Sequence, residues 1–151
     1  MAILNMDIAT YNTIKYLILV DSYSGFIFSE KLPKHKTSRD IVKILRKIFS
    51  VHGKPNKLVT DNEPILVSET VKDFCKNKKI LLIGSSPNHS VSNHTAEQGV
   101  KEFKKLLKTA SPDEDILDLI LEMNSSPKKT GYIPAELFFQ KKTKNRYTRN
   151  I

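Results

Sequence analysis

Short runs of hydrophobic residues, separated by polar turn residues, predict β-strands in the N-terminal part of the chain. The stretch KYLILVDSYSGFIFSEKL contains two apolar segments, at about 15–21 and 26–32, separated by a turn at Ser24 and Gly25. This pattern predicts an antiparallel hairpin. The preceding segment AILNMDIA predicts one more strand, which carries Asp7.

The middle of the chain alternates between helical and extended patterns. Residues 37–53 have apolar positions at helical spacing, and Gly53 marks the end of that helix. A short strand ending at Asp61 follows, then a helix capped by Ser68 and an apolar strand at about 79–84. Three leading strands followed by β/α alternation predict an α/β fold, a mixed sheet with helices on both faces.

The last third of the chain predicts helices. Helical spacing runs from about 95 to 108, and the sequence SPDE at 111–114 has the pattern of a capping box that opens a second helix. A further short helix begins at Pro134. We expect residues 1–142 to form one domain and the basic residues 143–151 to form a disordered tail.

The charge of the chain points to its partners. Lysine and arginine outnumber acidic residues 25 to 16 among 151 residues, which gives a formal net charge of +9. Such a balance favours a polyanionic partner, nucleic acid first and an anionic membrane second. A basic protein without such a partner is the alternative.

The single cysteine and the hydropathy of the chain indicate the cellular compartment in which we expect the protein. Cys75 excludes an internal disulfide and a Cys₂His₂ zinc site within the chain, and it fits a reducing environment. No apolar run reaches the about 20 residues of a transmembrane helix, and the N-terminus lacks the pattern of a secretory signal. We therefore expect an intracellular protein without a membrane partner.

Three carboxylates lie at the ends of predicted elements. Asp7 is in the first strand, Asp61 closes the fourth, and Glu97 opens a helix, with 35 residues between Asp61 and Glu97. Converging carboxylates repel one another unless cations neutralise them, and oxygen ligands suit hard ions such as Mg²⁺ or Mn²⁺. Spacing alone does not select a metal site, because three acidic residues are more often three solvated surface groups.

Several longer motifs resemble one family. They are the hairpin YLILVDSYSGFIFSEKL after Asp7, TDNEP at 60–64, SNHTAE at 92–97 and KKTGYIPAELFFQKK at 128–142. In this order they are similar to the D,D-35-E catalytic core of retroviral and retrotransposon integrases, and most similar to the Ty3/gypsy group. The resemblance covers almost the whole chain. It implies an RNase H-like fold, a five-stranded mixed sheet whose first three strands are antiparallel, flanked by helices.

The resemblance also implies roles for particular residues. Asp7, Asp61 and Glu97 would be the catalytic acids, and they would bind Mg²⁺ or Mn²⁺, two ions when DNA is present. Residues 87–94 match a mobile loop that contacts the DNA end in this family. The implied DNA-binding residues are Asn62, Ser92, Asn93, Lys101 and Lys104. The two lysines follow the glutamate by four and seven residues, and therefore share its helical face.

The implied function is DNA integration. One metal-dependent active site would process the 3′ end of retroelement DNA and then transfer the strand into target DNA. The implied partners are the element's DNA ends, target DNA and a second copy of the core in a homodimer. The protein would act in the nucleus after residing in a cytoplasmic particle. The family's N-terminal zinc-binding domain and C-terminal DNA-binding domain do not fit in this chain.

Two positions depart from the family pattern, and two other functions stay open. Glu63 and His94 stand where the family usually has glycine, and we expect Glu63 to be a solvated side chain rather than an extra metal ligand. One alternative function is a non-catalytic DNA-binding or interaction module derived from an integrase, which the intact acid trio disfavours. The other is an RNase H-type nuclease, which the 35-residue spacing and the TGYIPAEL motif disfavour.

Overall fold

The structure, a computed structural model, describes residues 1–84 and 94–139, except for the side chain of His94. Two predicted DNA-binding residues, Ser92 and Asn93, lie outside the described residues. So does the predicted tail at 143–151.

The described chain folds into one sheet with helices. The elements in chain order are β1 (Ile3–Tyr11), β2 (Ile14–Asp21), β3 (Ile27–Lys31), α1 (Ser38–His52), β4 (Lys57–Thr60), α2 (Glu69–Asn77), β5 (Leu81–Gly84), α3 (His94–Thr109) and α4 (Ile116–Ser125). A short helix over residues 134–139 follows, as predicted from Pro134. No helix within the described ranges has both the length and the apolar character that crossing a bilayer requires.

The strands are arranged in the order β3-β2-β1-β4-β5. β2 pairs antiparallel with both β1 and β3, whereas β4 runs parallel to both β1 and β5. The predicted mixed sheet of five strands, with three leading antiparallel strands, is confirmed.

The sheet separates two hydrophobic layers. Successive strand residues point to opposite faces, and in β1 Leu4 and Met6 pack in the layer formed with α1 and α2. Ala9 and Tyr11 belong to the opposite layer, formed with α3 and α4. Because Asp7 alternates in step with Ala9 and Tyr11, it lies on the face of β1 that α3 covers.

Several predicted helix ends are confirmed. Thr37 is the N-cap of α1, and its backbone N–H donates to Asp40 Oδ2 at 2.8 Å. Gly53 ends the helix with a φ of 85°, a left-handed conformation that favours glycine. The Oγ of Ser68 caps α2 by accepting a hydrogen bond from the backbone N–H of Val71 at 3.4 Å.

The free thiol in α2 is part of the core. Cys75 is 1% exposed and packs in the hydrophobic layer formed with α1 and α2. Burial raises the pKa of this thiol to about 11. The thiol therefore stays protonated at neutral pH and is unsuited to act as a nucleophile.

One predicted helix start is wrong. The SPDE sequence predicts a helix from residue 111, but α4 begins at Ile116 with Asp115 as its N-cap. The Tyr11 hydroxyl lies 2.7 Å from the carbonyl oxygens of both Ser111 and Glu114. Because the phenol occupies carbonyl oxygens that a continuous helix would use internally, the segment forms a turn and the helix starts after it.

α4 is attached to the edge of the sheet by a buried amide. Asn124 Oδ1 accepts a hydrogen bond from Ile27 N at 2.9 Å, and its Nδ2 donates to Ile27 O at 3.0 Å. Ile27 belongs to β3, which is the edge strand of the sheet within the described residues. The side chain of Asn124 therefore takes the place of a strand partner.

Replacing Asn124 with alanine is expected to lower the free energy of unfolding by about 2–4 kcal/mol, because two buried backbone groups lose their partners. Urea denaturation measures the change. Leu117→Ala, on the exposed side of the same helix, is the matched control and is expected to stay within about 0.5 kcal/mol of the original chain. Equal effects of the two variants would contradict the role of the amide.

Candidate active site

The register between β1 and β4 brings two predicted acids together. Met6 pairs with Thr60 in these parallel strands, so the next residues, Asp7 and Asp61, lie side by side at the end of the pairing. Neighbouring strands are about 4.8 Å apart. β4 ends at Thr60, whereas β1 continues to Tyr11. The two carboxylates therefore stand on neighbouring strands where one strand has stopped and space opens.

α3 adds the third acid from its first turn. A Cβ built on Gly99 would lie 3.0 Å from Val20 Cγ1, so glycine at this position allows α3 to pack closely on β2. Glu97, two residues earlier, is half-buried. The helix therefore holds Glu97 over the face of the sheet that carries Asp7.

These residues line one cleft of about 250 Å³. Its charged lining residues are Asp7, Asp61, Glu97, Lys101 and Lys104. The structure thus brings together all three predicted catalytic acids and two of the predicted DNA-binding lysines. Such a cleft places negative charge next to positive charge at the surface.

A fourth carboxylate lies beside the two aspartates. One oxygen from each of Asp7, Asp61 and Glu63 lies within 4.8 Å of the other two. Glu63 is exposed, as expected of a solvated side chain, but its carboxylate joins this group. Glu97 lines the same cleft without belonging to the group. The sequence alone favours a solvated side chain for Glu63 over a metal ligand.

Hydrogen bonds and one ion pair orient the aspartates. Lys104 Nζ lies 2.9 Å from Asp7 Oδ2, and the backbone N–H of Ile8 donates to Asp7 Oδ1 at 2.7 Å. Asp61 Oδ1 accepts a hydrogen bond from the backbone N–H of Glu63 at 3.1 Å. Contacts within the chain therefore fix the direction of both side chains.

Asn62 lies next to the cleft. A Cβ built on Gly84 would lie 2.6 Å from Asn62 Oδ1, so the amide sits directly over the end of β5. Asn62 is exposed and is not among the described residues that line the cleft. Its position at the end of β5 leaves its side chain accessible to a large ligand.

The donor atoms fit a hard divalent cation. The anionic groups in the described part of the cleft are carboxylates, and its described lining contains neither a cysteine nor a histidine. Oxygen donors of this kind suit Mg²⁺ and Mn²⁺, whereas structural zinc prefers sulfur and nitrogen. The site is therefore chemically suited to the cations that the sequence predicts.

The sequence has relatives among retroelement polyproteins. Residues 1–90 match the family described as "Integrase core domain". The chain is 26% identical to the Gag-Pro-Pol polyprotein of Mason-Pfizer monkey virus over 113 residues, which are 72% of this chain and 6% of that protein. It is 31% identical to the Pro-Pol polyprotein of simian foamy virus type 3 over 130 residues, 82% of this chain and 11% of that protein.

A retrotransposon is also among these relatives. The retrovirus-related Pol polyprotein from transposon gypsy of Drosophila melanogaster is 28% identical over 130 residues, 83% of this chain and 12% of that protein. The chain thus spans between 6% and 12% of the length of these three polyproteins. The predicted resemblance to retroviral and retrotransposon sequences is confirmed.

Two solved structures have the same fold. The catalytic core domain of BIV integrase has a TM-score of 0.74 at 16% identity, covering 95% of this chain and 97% of that one. A chain of the simian T-cell lymphotropic virus intasome in complex with PP2A regulatory subunit B56 gamma has a TM-score of 0.70 at 20% identity, covering 91% and 54%. The predicted RNase H-like fold class is confirmed.

Proposed function

The chain belongs to the integrase core domain family, and on this premise we propose that it is a catalytic core that cuts and joins retroelement DNA by metal-dependent phosphoryl transfer. One observation carries the proposal. Asp7, Asp61 and Glu97, which are far apart in the sequence, line a single cleft together with Lys101 and Lys104.

The three acids would hold the cations. Asp7 and Asp61 extend from neighbouring strands and Glu97 from the helix above them, so Mg²⁺ or Mn²⁺ would lie between the sheet and α3. When bound, two such ions activate the attacking oxygen and stabilise the leaving oxygen. The protein's part is to orient the carboxylates, which the hydrogen bonds from Ile8 and Glu63 already do.

The lysines and the neighbouring polar residues would position DNA. Lys101 is exposed and Lys104 partly exposed on the cleft side of α3, where an ammonium can contact a phosphate. Asn62 is accessible beside the cleft. We assign the same role, from the sequence motif, to Ser92 and Asn93.

The reaction would proceed in two in-line displacements at this cleft. In the first, a water oxygen bonds to phosphorus near the 3′ end of the element, and the bond from phosphorus to the 3′ oxygen breaks. That oxygen takes a proton and becomes a free hydroxyl. In the second, the new 3′ oxygen bonds to a target phosphorus, and the target's own 3′ oxygen leaves. No covalent enzyme intermediate is needed, so positioning and charge stabilisation supply the catalysis.

The proposal extends to the assembly and the place of action. Residues 1–142 would form the catalytic core, and a homodimer of this core is proposed. DNA ends and target DNA would be the partners. The reaction would take place in the nucleus, after a stage in a cytoplasmic particle.

A branched DNA joint tests the proposed function. In such a joint a free 3′ hydroxyl can attack the phosphodiester at the branch and release the attached strand, which reverses strand transfer through the same transition state. Incubation with Mn²⁺ should give the sealed strand. Cleavage of the RNA strand of an RNA–DNA hybrid without resolution of the joint would favour an RNase H-type nuclease. DNA binding without either product would favour a non-catalytic module.

A substitution at Lys104 is expected to separate cation binding from DNA binding. The ammonium competes with a cation for Asp7, so Lys104→Gln should bind Mn²⁺ about three- to tenfold more tightly, the effect being limited by partial exposure. The same change removes a phosphate contact. The slope of the logarithm of the DNA-binding constant against the logarithm of the salt concentration should therefore become smaller in magnitude by about one. Calorimetry and DNA binding at several salt concentrations measure the two effects.

Lys105→Gln is the matched control because it removes the same charge from an exposed neighbouring position on α3. It should leave Mn²⁺ binding within about twofold of the original value, since a distant exposed charge is screened by solvent. Equal Mn²⁺ affinities of the two variants would mean that the ion pair with Asp7 does not compete with the cation.

A further inference from the structure

We propose that Glu63 is a metal ligand in this protein and that Asp7, Asp61 and Glu63 together hold one divalent cation before DNA binds. This inference rests on the proposed function, since it concerns the same cleft. It changes the expected ligand set, because the group of three does not include Glu97. Glu97, which lines the same cleft, would then act at the site separately from this group of three carboxylates.

The spacing of the oxygens suits one small cation. Oxygen ligands on opposite sides of an octahedral Mg²⁺ are about 4.2 Å apart, since each bond is about 2.1 Å long. The oxygens of Asp7, Asp61 and Glu63 lie within 4.8 Å of one another. A small rotation of an exposed side chain closes this difference. The backbone does not need to move for a cation to bind all three.

The chain holds Glu63 in this position from both sides. Its backbone N–H donates to Asp61 Oδ1 at 3.1 Å. Its carbonyl oxygen accepts from the backbone N–H of Leu66 at 2.9 Å, and Leu66 is fully buried. The backbone of the turn after β4 is therefore anchored in the core, and the Glu63 carboxylate lies beside the two aspartates.

The local charge also calls for a divalent cation. The three carboxylates carry three negative charges, and among the described residues the ion pair with Lys104 is the one salt bridge to this group. Lys101 lines the same cleft but forms no salt bridge to this group among the described residues, so negative charges remain at short distance and repel one another. A bound divalent cation balances them.

The test is Mn²⁺ binding by the DNA-free protein, followed by calorimetry and by the electron paramagnetic resonance of free Mn²⁺. Glu63→Gln should weaken binding by about 10–100-fold, the range typical for disturbed metal sites. Glu97→Gln should bind Mn²⁺ with an affinity within about threefold of that of the original chain, because in this proposal Glu97 does not hold the cation that binds without DNA. Circular dichroism checks that each variant is folded.

Glu69→Gln is the matched control. It removes the same charge from an exposed residue at the start of α2, outside the cleft. The inference is overturned if Glu63→Gln binds Mn²⁺ as tightly as the original chain does. It is also overturned if Glu69→Gln loses as much Mn²⁺ affinity as Glu63→Gln. Absence of Mn²⁺ binding in the original chain without DNA also overturns it. The proposed function fails separately, if the branched DNA joint is not resolved.

Discussion

Asp61→Asn is expected to reduce resolution of a branched DNA joint by at least about 10²–10³-fold, because it removes a charged cation ligand from the cleft. The change keeps the shape of the side chain. Its amide oxygen can still accept the hydrogen bond from the backbone N–H of Glu63 that Asp61 Oδ1 accepts at 3.1 Å. The turn after β4 should therefore survive, so the loss of activity reports on the charge of the ligand.

Stability measurements separate this effect from misfolding. Asp61 lies close to Asp7 and Glu63, and removing one of three neighbouring negative charges relieves repulsion in the metal-free protein. The variant should therefore unfold at the same or a higher urea concentration than the original chain. Loss of activity with unchanged or increased stability is typical of residues kept for function rather than for folding.

The control for Asp61→Asn is Asp73→Asn. Asp73 is exposed on α2 and does not line the cleft, so the same change in charge should leave the rate within about twofold, as for most surface substitutions. Mn²⁺ titration should show the same contrast. Equal rates of joint resolution by both variants would mean that Asp61 does not take part in the chemistry. That result would favour a non-catalytic role for the domain.

The sheet was predictable because its signals are local. The apolar run in β2 and the turn at Ser24 and Gly25 specify the hairpin, and the apolar segments before Asp61 and Gly84 specify the two parallel strands. The meeting of Asp7 and Asp61 depends in addition on the register between β1 and β4, because Asp7 lies in the middle of β1 and not at its end. Helical spacing predicts the helix that carries Glu97, and the family motifs add the role of that glutamate.

The positions of Glu63 and Lys104 depend on contacts that no local pattern encodes. The Glu63 carboxylate lies beside the aspartates on a turn anchored through the buried Leu66, whereas the sequence alone favours a solvated side chain. Lys104 was predicted as a DNA ligand from its helical face. Its ion pair with Asp7 also requires the exact approach of α3 to the sheet, which Gly99 permits.

The errors in α4 have a similar origin. The SPDE segment has good local capping chemistry, but the hydroxyl of Tyr11, a hundred residues away, takes part in the hydrogen bonding of that turn. Asn124 was not identified as important. The signal was present, since one amide lies within an Ile- and Leu-rich helix, and such a polar group is buried only when it has partners.

Phe103→Ala is expected to lower the free energy of unfolding by about 3–5 kcal/mol, the range for truncating a buried aromatic side chain. Phe103 is fully buried and packs in the layer between α3 and the sheet, with Val100 and Leu107 on either side along the helix. Most domains are stable by about 5–15 kcal/mol in total. The variant should therefore unfold at a much lower urea concentration.

Phe103→Leu fills most of the same space and should lose only about 1–2 kcal/mol, whereas Leu121→Ala, at a position 63% exposed, should change little. Phe103 does not line the cleft, so folded Phe103→Leu should bind Mn²⁺ as the original chain does. Weaker Mn²⁺ binding in this variant would mean that the packing of α3 tunes the cleft itself. A urea midpoint of Phe103→Ala equal to that of Leu121→Ala would mean that α3 is held to the sheet by other contacts.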